Sequence, residues 1–93
     1  MSEIYPVPEN FKGKAHLDAE SYEKVYKDSI ENNESFWAET AKRIDWFKFP
    51  TLIKDVSFDK ADLHIKWYED GVLNACYNCI DRHLDSRGDQ VAI

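Results

Sequence analysis

Two short runs in the middle of the chain alternate apolar and polar residues, and they constrain the fold more than any other feature. The runs are Leu52–Phe58 and Leu63–Trp67, and the polar stretch Asp59–Asp62 separates them. Alternation of this kind is typical of a half-buried β-strand, because successive side chains point to opposite faces. The sequence therefore predicts a small antiparallel ribbon within a chain whose other segments have helical spacing.

Apolar side chains recur at helical spacing in three segments outside the ribbon. Asp18 is placed to cap the first helix, which extends to Asn32. The second runs from Phe36 to basic residues suited to a helix C-terminus, and the third is one continuous helix that ends at Gly88. We expect a mainly α fold with a small β ribbon (α+β), with three short helices and two short antiparallel strands. The helical stripes are Tyr22, Val25, Tyr26 and Ile30, then Phe36, Trp37, Thr40, Ala41 and Ile44, then Leu73, Tyr77, Ile80 and Leu84.

The remaining segments lack periodicity and suggest how the chain is organised. Residues 1–17 carry two of the three prolines and predict an irregular N-terminal arm. The run DWFKFP at 45–50 predicts a buried aromatic loop. The apolar residues 91–93 predict the start of a strand, so we expect the 93 residues to have been cut from a longer protein. The predicted organisation is an arm at 1–17, a domain at 18–88 and the truncated start of another domain at 89–93.

Charge and hydropathy argue against several classes of partner. The chain has 12 Lys and Arg against 18 Asp and Glu, a net charge of −6, which opposes binding to a phosphate backbone or an anionic membrane. No apolar run approaches the roughly 20 residues that span a bilayer, and the first thirty residues lack a signal-peptide core. Two cysteines are far from a disulfide framework. We predict a cytoplasmic protein that binds neither nucleic acid nor membrane.

Cys76, Cys79 and His83 share one face of the third predicted helix and form a candidate metal site. A structural zinc site needs four ligands, and the other histidines, His16 and His64, lack the paired spacing of zinc-binding loops. Free cysteines are usually buried, so we favour two half-buried thiols in a helix interface. A zinc site and a redox-active thiol pair stay open as less favoured alternatives.

A polar stripe lies beside the apolar stripe of the same helix. Asn is a poor residue in the middle of a helix, and two of them four residues apart suggest side chains that bond other backbone groups. Irregular loops leave many backbone groups unpaired, so we favour this structural role over a ligand contact. The stripe comprises Asn74, Asn78, Asp81 or Arg82, and Asp85.

The same region carries a long motif, W-x-x-G-x-L-N-x-x-x-N-x-x-D-R-H. It resembles the N-terminal segment of the acetyl-coenzyme A synthetase family, the AMP-forming acetate–CoA ligases among the adenylate-forming enzymes. Upstream, residues 22–30, 36–37 and 44–46 are also similar to that family, so the resemblance covers roughly residues 15–93. The motif residues are Trp67, Gly71, Leu73, Asn74, Asn78, Asp81, Arg82 and His83.

The resemblance implies an accessory segment of a larger ligase. In that family acetate attacks the α-phosphate of Mg-ATP to give acetyl-adenylate and pyrophosphate, and the coenzyme A thiol then displaces AMP. The family's phosphate loop and catalytic lysine would lie beyond residue 93. We therefore expect no catalytic, cofactor-binding or metal-ligating residue in this segment, while ATP, Mg²⁺ and coenzyme A belong to the parent enzyme. The motif residues are expected to form the surface that docks on the adenylation domain of the same chain.

Other functions stay open. A free-standing helical interaction module would bind a partner protein through exposed aromatics such as Trp37, Trp46 and Phe47. A metal module built on Cys76, Cys79 and His83 is the third hypothesis. An acyl pocket beyond residue 93 leaves the choice between acetate and propionate undecided. As an isolated piece, the segment is expected to be marginally folded, or to self-associate through the terminal strand and the apolar face formed by Leu73, Tyr77, Ile80 and Leu84.

Overall fold

The computed structural model describes residues 3–93, and the chain forms two compact units that divide after Asn33. Its short helices and two-stranded antiparallel sheet confirm the predicted α+β class. Within residues 3–93, no helix has both the length and the apolar character needed to cross a membrane.

The first unit begins with a short helix that the sequence did not predict. α1 (Glu9–Lys12) lies inside the segment predicted as an irregular arm, so that prediction is wrong for these residues. Glu9 in the first turn and Lys12 in the last complement the helix dipole, and their side chains form an ion pair. Met1 and Ser2, also assigned to the arm, lie outside the described residues.

The second helix of this unit confirms the prediction. α2 (Ala19–Glu31) begins after Asp18, whose Oδ1 accepts a hydrogen bond from the backbone N–H of Ser21 at 2.7 Å. The same hydrogen bond holds the pKa of Asp18 below its usual value, because it favours the ionised carboxylate. The apolar stripe of α2 is exposed, at Tyr22, Val25, Tyr26 and Ile30.

The second unit contains the ribbon and the remaining helices. β1 and β2 pair antiparallel, with Lys54 opposite Trp67 and Ser57 opposite His64, which confirms the predicted ribbon. The paired part is shorter than the alternating runs, and at its first end the N–H of Leu52 donates to a carboxylate instead of to a strand. The elements are α3 (Asn33–Ala41), β1 (Lys54–Ser57), β2 (His64–Trp67), α4 (Ala75–Cys79), a 3-10 turn (Asp81–His83) and α5 (Leu84–Arg87).

The continuous helix predicted from Leu73 to Leu84 is wrong, because the chain leaves the helical conformation at Ile80. Ile80 has φ −127° and ψ −67°, so α4 stops at Cys79 and the 3-10 turn separates it from α5. Residues 76–81, which surround the break, are all weak helix formers, so little intrinsic preference opposes the break. Apolar spacing reports which side of a segment is apolar and does not report a bend in its backbone.

The interior of the second unit is small and lies where the end of α3 meets the loop at 45–50. Ala41 is only 5% exposed, and Pro50 is also buried. Trp46 is half-buried, and its indole N–H donates to the carbonyl of Ala41 at 2.8 Å. The predicted burial of the whole aromatic loop is wrong for Phe47 and Phe49, which are 75% and 40% exposed. Neighbouring side chains on an extended stretch point to opposite sides, so burying one exposes the next.

An isolated antiparallel β-bridge between Lys48 and Val72 joins this loop to the turn after β2. The N–H groups of Phe47 and Lys48 both donate to the carbonyl of Val72, at 2.8 and 3.1 Å, and the N–H of Val72 donates to the carbonyl of Lys48 at 3.0 Å. The bridge holds the loop against the segment that leads into α4.

At the other end of the unit, residues 91–93 are exposed and belong to neither strand of the ribbon. A strand forms only against a pairing partner, so the expectation that these residues begin a strand of a following domain stays a prediction. The proposed boundaries at 17/18 and 88/89 also stay predictions.

Candidate functional site

The motif residues lie on consecutive parts of the second unit, and three of them, Gly71, Asn78 and Arg82, contact one segment, residues 43–50. Only Asn78 among them is buried, and Asp81 is exposed. The motif therefore describes both the support of a surface and part of the surface itself. In chain order, Trp67 ends β2, Gly71 and Leu73 lie in the connection, Asn74 caps α4, Asn78 lies within α4, and Asp81, Arg82 and His83 form the 3-10 turn.

Asn78 makes three hydrogen bonds, two of which join α4 to the loop. Its Oδ1 accepts from the backbone N–H of Asp45 at 2.7 Å, and its Nδ2 donates to the carbonyl of Asp45 at 2.9 Å and to that of Asn74 at 3.0 Å. An amide suits this position because it donates and accepts at once. Asn74 caps α4, since its Oδ1 accepts from the N–H of Tyr77 at 2.9 Å. Both asparagines therefore bond backbone groups, as their positions in the sequence led us to expect.

Arg82 holds the same loop from the 3-10 turn. Its Nη1 donates to the carbonyl of Arg43 at 3.1 Å and lies 3.5 Å from Oδ2 of Asp45. Its Nε donates to Nε2 of His83 at 3.3 Å, which orients the guanidinium. The Arg82 side chain is 25% exposed, so it lies along the protein surface and does not project into solvent. Asn78 and Arg82 together fix the path of residues 43–45.

Gly71 lets Trp46 approach the turn. A Cβ at position 71 would lie 2.6 Å from Cζ3 of Trp46 and 3.2 Å from Cβ of Pro50. The first distance is shorter than any contact that real side chains tolerate, so the requirement is space and not backbone conformation. Trp46 in turn packs on Tyr68, with ring centroids 5.6 Å apart.

Asp70, in the turn after β2, makes the main contact between that turn and residues 51–52. Its Oδ1 accepts from the N–H groups of Thr51 and Leu52 at 2.9 Å each, and its Oδ2 accepts from the Thr51 hydroxyl at 2.7 Å. The ammonium of Lys48 lies 3.2 Å from Oδ2. These interactions, the backbone N–H of Leu52 first among them, hold the pKa of Asp70 far below its usual range. Asp70 therefore stays ionised over the whole physiological range.

An apolar groove of about 580 Å³ opens beside these contacts. On its walls the rings of Trp37 and Trp67 meet edge to face at 6.0 Å, and the Tyr68 hydroxyl donates to the carbonyl of Trp37 at 2.8 Å. Burial raises the pKa of Tyr68. Trp67 is still 40% exposed and Leu73 38% exposed. The lining residues, defined here as the aromatic groove, are Trp37, Thr40, Ala41, Arg43, Ile44, Trp46, Trp67, Tyr68 and Leu73.

The favoured interpretation of Cys76 and Cys79 as half-buried thiols is wrong, because both are free and exposed. The break after α4 moves the following residues away from the face that a continuous helix would have formed. Across residues 3–93 no three His, Cys, Asp or Glu side chains lie close enough together to share a metal ion, and this holds for the set that includes His83.

The second unit therefore has an apolar surface groove whose supporting loop and turn are fixed by hydrogen bonds. Asn78 and Arg82 donate hydrogen bonds to the loop, and Asp70 accepts hydrogen bonds from residues 51–52. Residues of the loop and turn line part of the aromatic groove. Apolar, aromatic surface of this kind is suited to packing against another protein surface, because its burial removes apolar area from water.

Comparison with known proteins adds a family relationship. A family model described as the acetyl-coenzyme A synthetase N-terminus matches residues 22–79. An acetyl-coenzyme A synthetase of Pseudoalteromonas translucida (strain TAC 125) is 53% identical over 90 residues, which is 97% of this chain and 14% of that protein. One from Parvibaculum lavamentivorans is 56% identical over 91 residues, 98% of this chain and again 14% of the relative. The chain thus spans about one seventh of the length of the curated relatives it matches.

Proposed function

Because the chain belongs to the acetyl-coenzyme A synthetase N-terminus family, we propose that it is the N-terminal accessory segment of an acetate–CoA ligase. In this proposal the segment carries no catalytic residue of its own and docks on the adenylation domain of the same polypeptide. It acts in the cytoplasm. The relatives support the proposal, since the chain corresponds to 14% of each of them.

The parent enzyme would form acetyl-CoA in two steps. Acetate attacks the α-phosphate of Mg-ATP, which gives acetyl-adenylate and releases pyrophosphate, and the coenzyme A thiol then attacks the acetyl carbonyl and releases AMP. ATP, Mg²⁺ and coenzyme A would bind outside this segment.

The observation that carries the docking proposal is the exposed aromatic groove on a unit with little core of its own. Within residues 3–93 no large side chain is fully buried. Trp67 and Leu73 keep 40% and 38% of their surface exposed although they belong to a well-connected part of the unit. Full burial of a large apolar side chain contributes about 1.5 to 3 kcal/mol, so covering this groove would stabilise the segment substantially.

In this proposal the motif residues have two different roles. Asn78 is 8% exposed and Gly71 is packed under Trp46, so both act from inside the fold and set the shape of the surface. Trp67 and Leu73 lie on the surface and would contact the adenylation domain directly. For each motif residue that contacts another part of the segment, that contact explains the residue type without any role in substrate binding.

The test uses the longer protein expressed from the gene that contains this chain. We expect acetate-dependent formation of AMP and acetyl-CoA by that protein, and none by residues 1–93 alone. A long protein without this activity, or an active 93-residue chain, would contradict the assignment to a ligase.

Docking is tested separately with Leu73→Asp, which places a charge in the aromatic groove. Burying an unpaired carboxylate costs several kcal/mol, and each 1.4 kcal/mol corresponds to tenfold in the equilibrium between docked and released segment. Limited proteolysis within the segment should therefore become at least about tenfold faster. Leu63→Asp is the matched control, because Leu63 is 67% exposed next to β2 and outside the groove. Equal cleavage of the two variants would show that the groove is not the docking surface, and would favour the free-standing interaction module.

A further inference from the structure

His64, the first residue of β2, lies between two aspartates that approach its ring from opposite sides. Its Nε2 is 2.8 Å from Oδ1 of Asp55. Its Nδ1 is 3.1 Å from the carbonyl oxygen of Asp62 and 3.3 Å from the Oδ1 of the same residue. The His64 side chain is 26% exposed. Both ring nitrogens therefore face oxygen atoms. The carbonyl oxygen can only accept hydrogen bonds, and an ionised carboxylate can also only accept them.

This arrangement selects one protonation state of the imidazole. A neutral ring carries one N–H, so one of its nitrogens would place a lone pair against an acceptor oxygen. Only the doubly protonated ring donates to both neighbours. Asp55 comes from β1, while Asp62 ends the connection between the strands, so the charged ring joins the connection to the ribbon.

The remaining charged groups on this face come from the ribbon and the turn after it. Strand register places Asp55 directly opposite Lys66, and Lys66 is two residues from His64 on the same face. The Lys66 ammonium pairs with Glu69 at 2.8 Å, and this contact raises the pKa of Lys66. Lys66 thus has a carboxylate partner of its own.

We propose that His64 is a pH-dependent fastener of the ribbon, which holds the 59–63 connection in place when its ring is charged and releases it when the ring becomes neutral. On deprotonation the one remaining proton stays on Nε2, where the shorter bond to an ionised carboxylate is made. Nδ1 then faces the oxygens of Asp62 without a hydrogen, and that contact is lost.

The direction of the pH dependence follows from the same contacts. The hydrogen bond to Asp55 is the main reason why the pKa of His64 is raised above its ordinary value of 6.5. Because the folded pKa is raised, the stabilisation is fully present below pH 6.5 and is lost as the pH rises through the folded pKa. The fastener is therefore closed below pH 6.5 and opens as the pH rises through the raised pKa of the folded chain.

Nitrogen-15 NMR of the ring-labelled chain tests the proposal. The two ring nitrogens should titrate together with a midpoint above 6.5, and the neutral form should carry its proton on Nε2. Backbone heteronuclear NOE values for residues 59–63 should fall over the same pH range. His64→Gln, which cannot gain a charge, should make those values independent of pH.

Asp55→Asn and Asp59→Asn form a matched pair of variants. The first removes the charge that faces Nε2 and should lower the midpoint of His64. The second removes a charge from the same connection, where Asp59 bonds the N–H of Ala61 at 2.8 Å, and should move the midpoint less. Each of three results would overturn the proposal. The first is a midpoint of His64 at or below 6.5, and the second is heteronuclear NOE values for residues 59–63 that do not change over the titration. The third is the absence, at every pH, of a cross-strand NOE between Val56 and Ile65.

Discussion

Replacing Asn78 tests whether one amide holds the loop against α4. Asn78→Ala removes three hydrogen bonds, two to Asp45 and one to Asn74. A net contribution of about 1 kcal/mol for each bond would give a loss of about 3 kcal/mol in the free energy of unfolding. The Asp45 side chain is 58% exposed, so water reaches part of the freed backbone, and we expect a loss of about 2 kcal/mol.

Asn78→Asp separates the donor role from the acceptor role. The aspartate keeps an acceptor for the N–H of Asp45, but it places a carboxylate against the two carbonyl oxygens that Nδ2 now bonds. We expect a loss larger than that of the alanine variant at neutral pH, about 3 kcal/mol or more. Part of it should return in acid, when the carboxyl group is protonated and donates once.

Urea unfolding followed by tryptophan fluorescence measures these losses, and hydrogen exchange of the Asp45 amide reports the local contact. Asn10→Ala, at an exposed position in α1, is the control, and its free energy of unfolding should stay within about 0.5 kcal/mol of that of the unsubstituted chain. A variant that no longer folds counts as a loss at least equal to the stability of the parent chain. If Asn78→Ala changes the free energy of unfolding by less than about 0.5 kcal/mol and leaves the Asp45 amide protected, the argument from these hydrogen bonds is refuted.

Two further predictions concern the turn after β2. Gly71→Ala should displace Trp46, whose Cζ3 lies 2.6 Å from the new Cβ, at a cost of about 1 to 3 kcal/mol and with a red shift of tryptophan emission. Gly13→Ala, with nothing within 4 Å of its Cβ, should leave the emission unchanged, and an equal effect at the two glycines would contradict the packing argument. Asp70→Asn should make the free energy of unfolding fall less in acid. Because the pKa of Asp70 is lowered in the folded chain, the ionised carboxylate stabilises the fold above about pH 3.8, and this stabilisation is lost as the pH falls further. Acid titrations followed by circular dichroism measure this, and an unchanged profile that matches the one for Asp85→Asn, at an exposed position in α5, would refute it.

The parts of the fold that follow from local pattern were predictable. Alternation in two runs gave the ribbon, and Asp18 before an apolar stripe gave the start of α2. The break at Ile80 was not predictable, because the apolar spacing continues through it and only the weak helix preference of the stretch hints at it. The exposure of Cys76 and Cys79 was also missed, since apolar spacing does not reveal which side of a helix is covered by the rest of the protein.

The backbone-bonding role of the two asparagines was expected from the sequence, and the partners of Asn78 were not. Two asparagines within a helical stretch indicate side chains that bond backbone groups, and both do so. That the main partner of Asn78 would be Asp45, 33 residues earlier, depends on tertiary structure that no local signal encodes. Asp70 was missed because Asp before Gly is ordinary turn chemistry, and its bonds to residues 51–52 come from the same long-range packing.

The spacing of these contacts along the chain sets the earliest moment at which the loop is held during synthesis. The bond from Arg82 to the carbonyl of Arg43 spans 39 residues, and the bonds from Asn78 to Asp45 span 33. At about 5 to 20 residues per second, a ribosome needs roughly 2 to 8 s to make the intervening chain. During that interval the nascent loop lacks the partners that later fix it, and Trp46 and Phe47 are accessible to chaperones. Residues 43–50 therefore complete their fold only after the segment carrying Arg82 has left the ribosome.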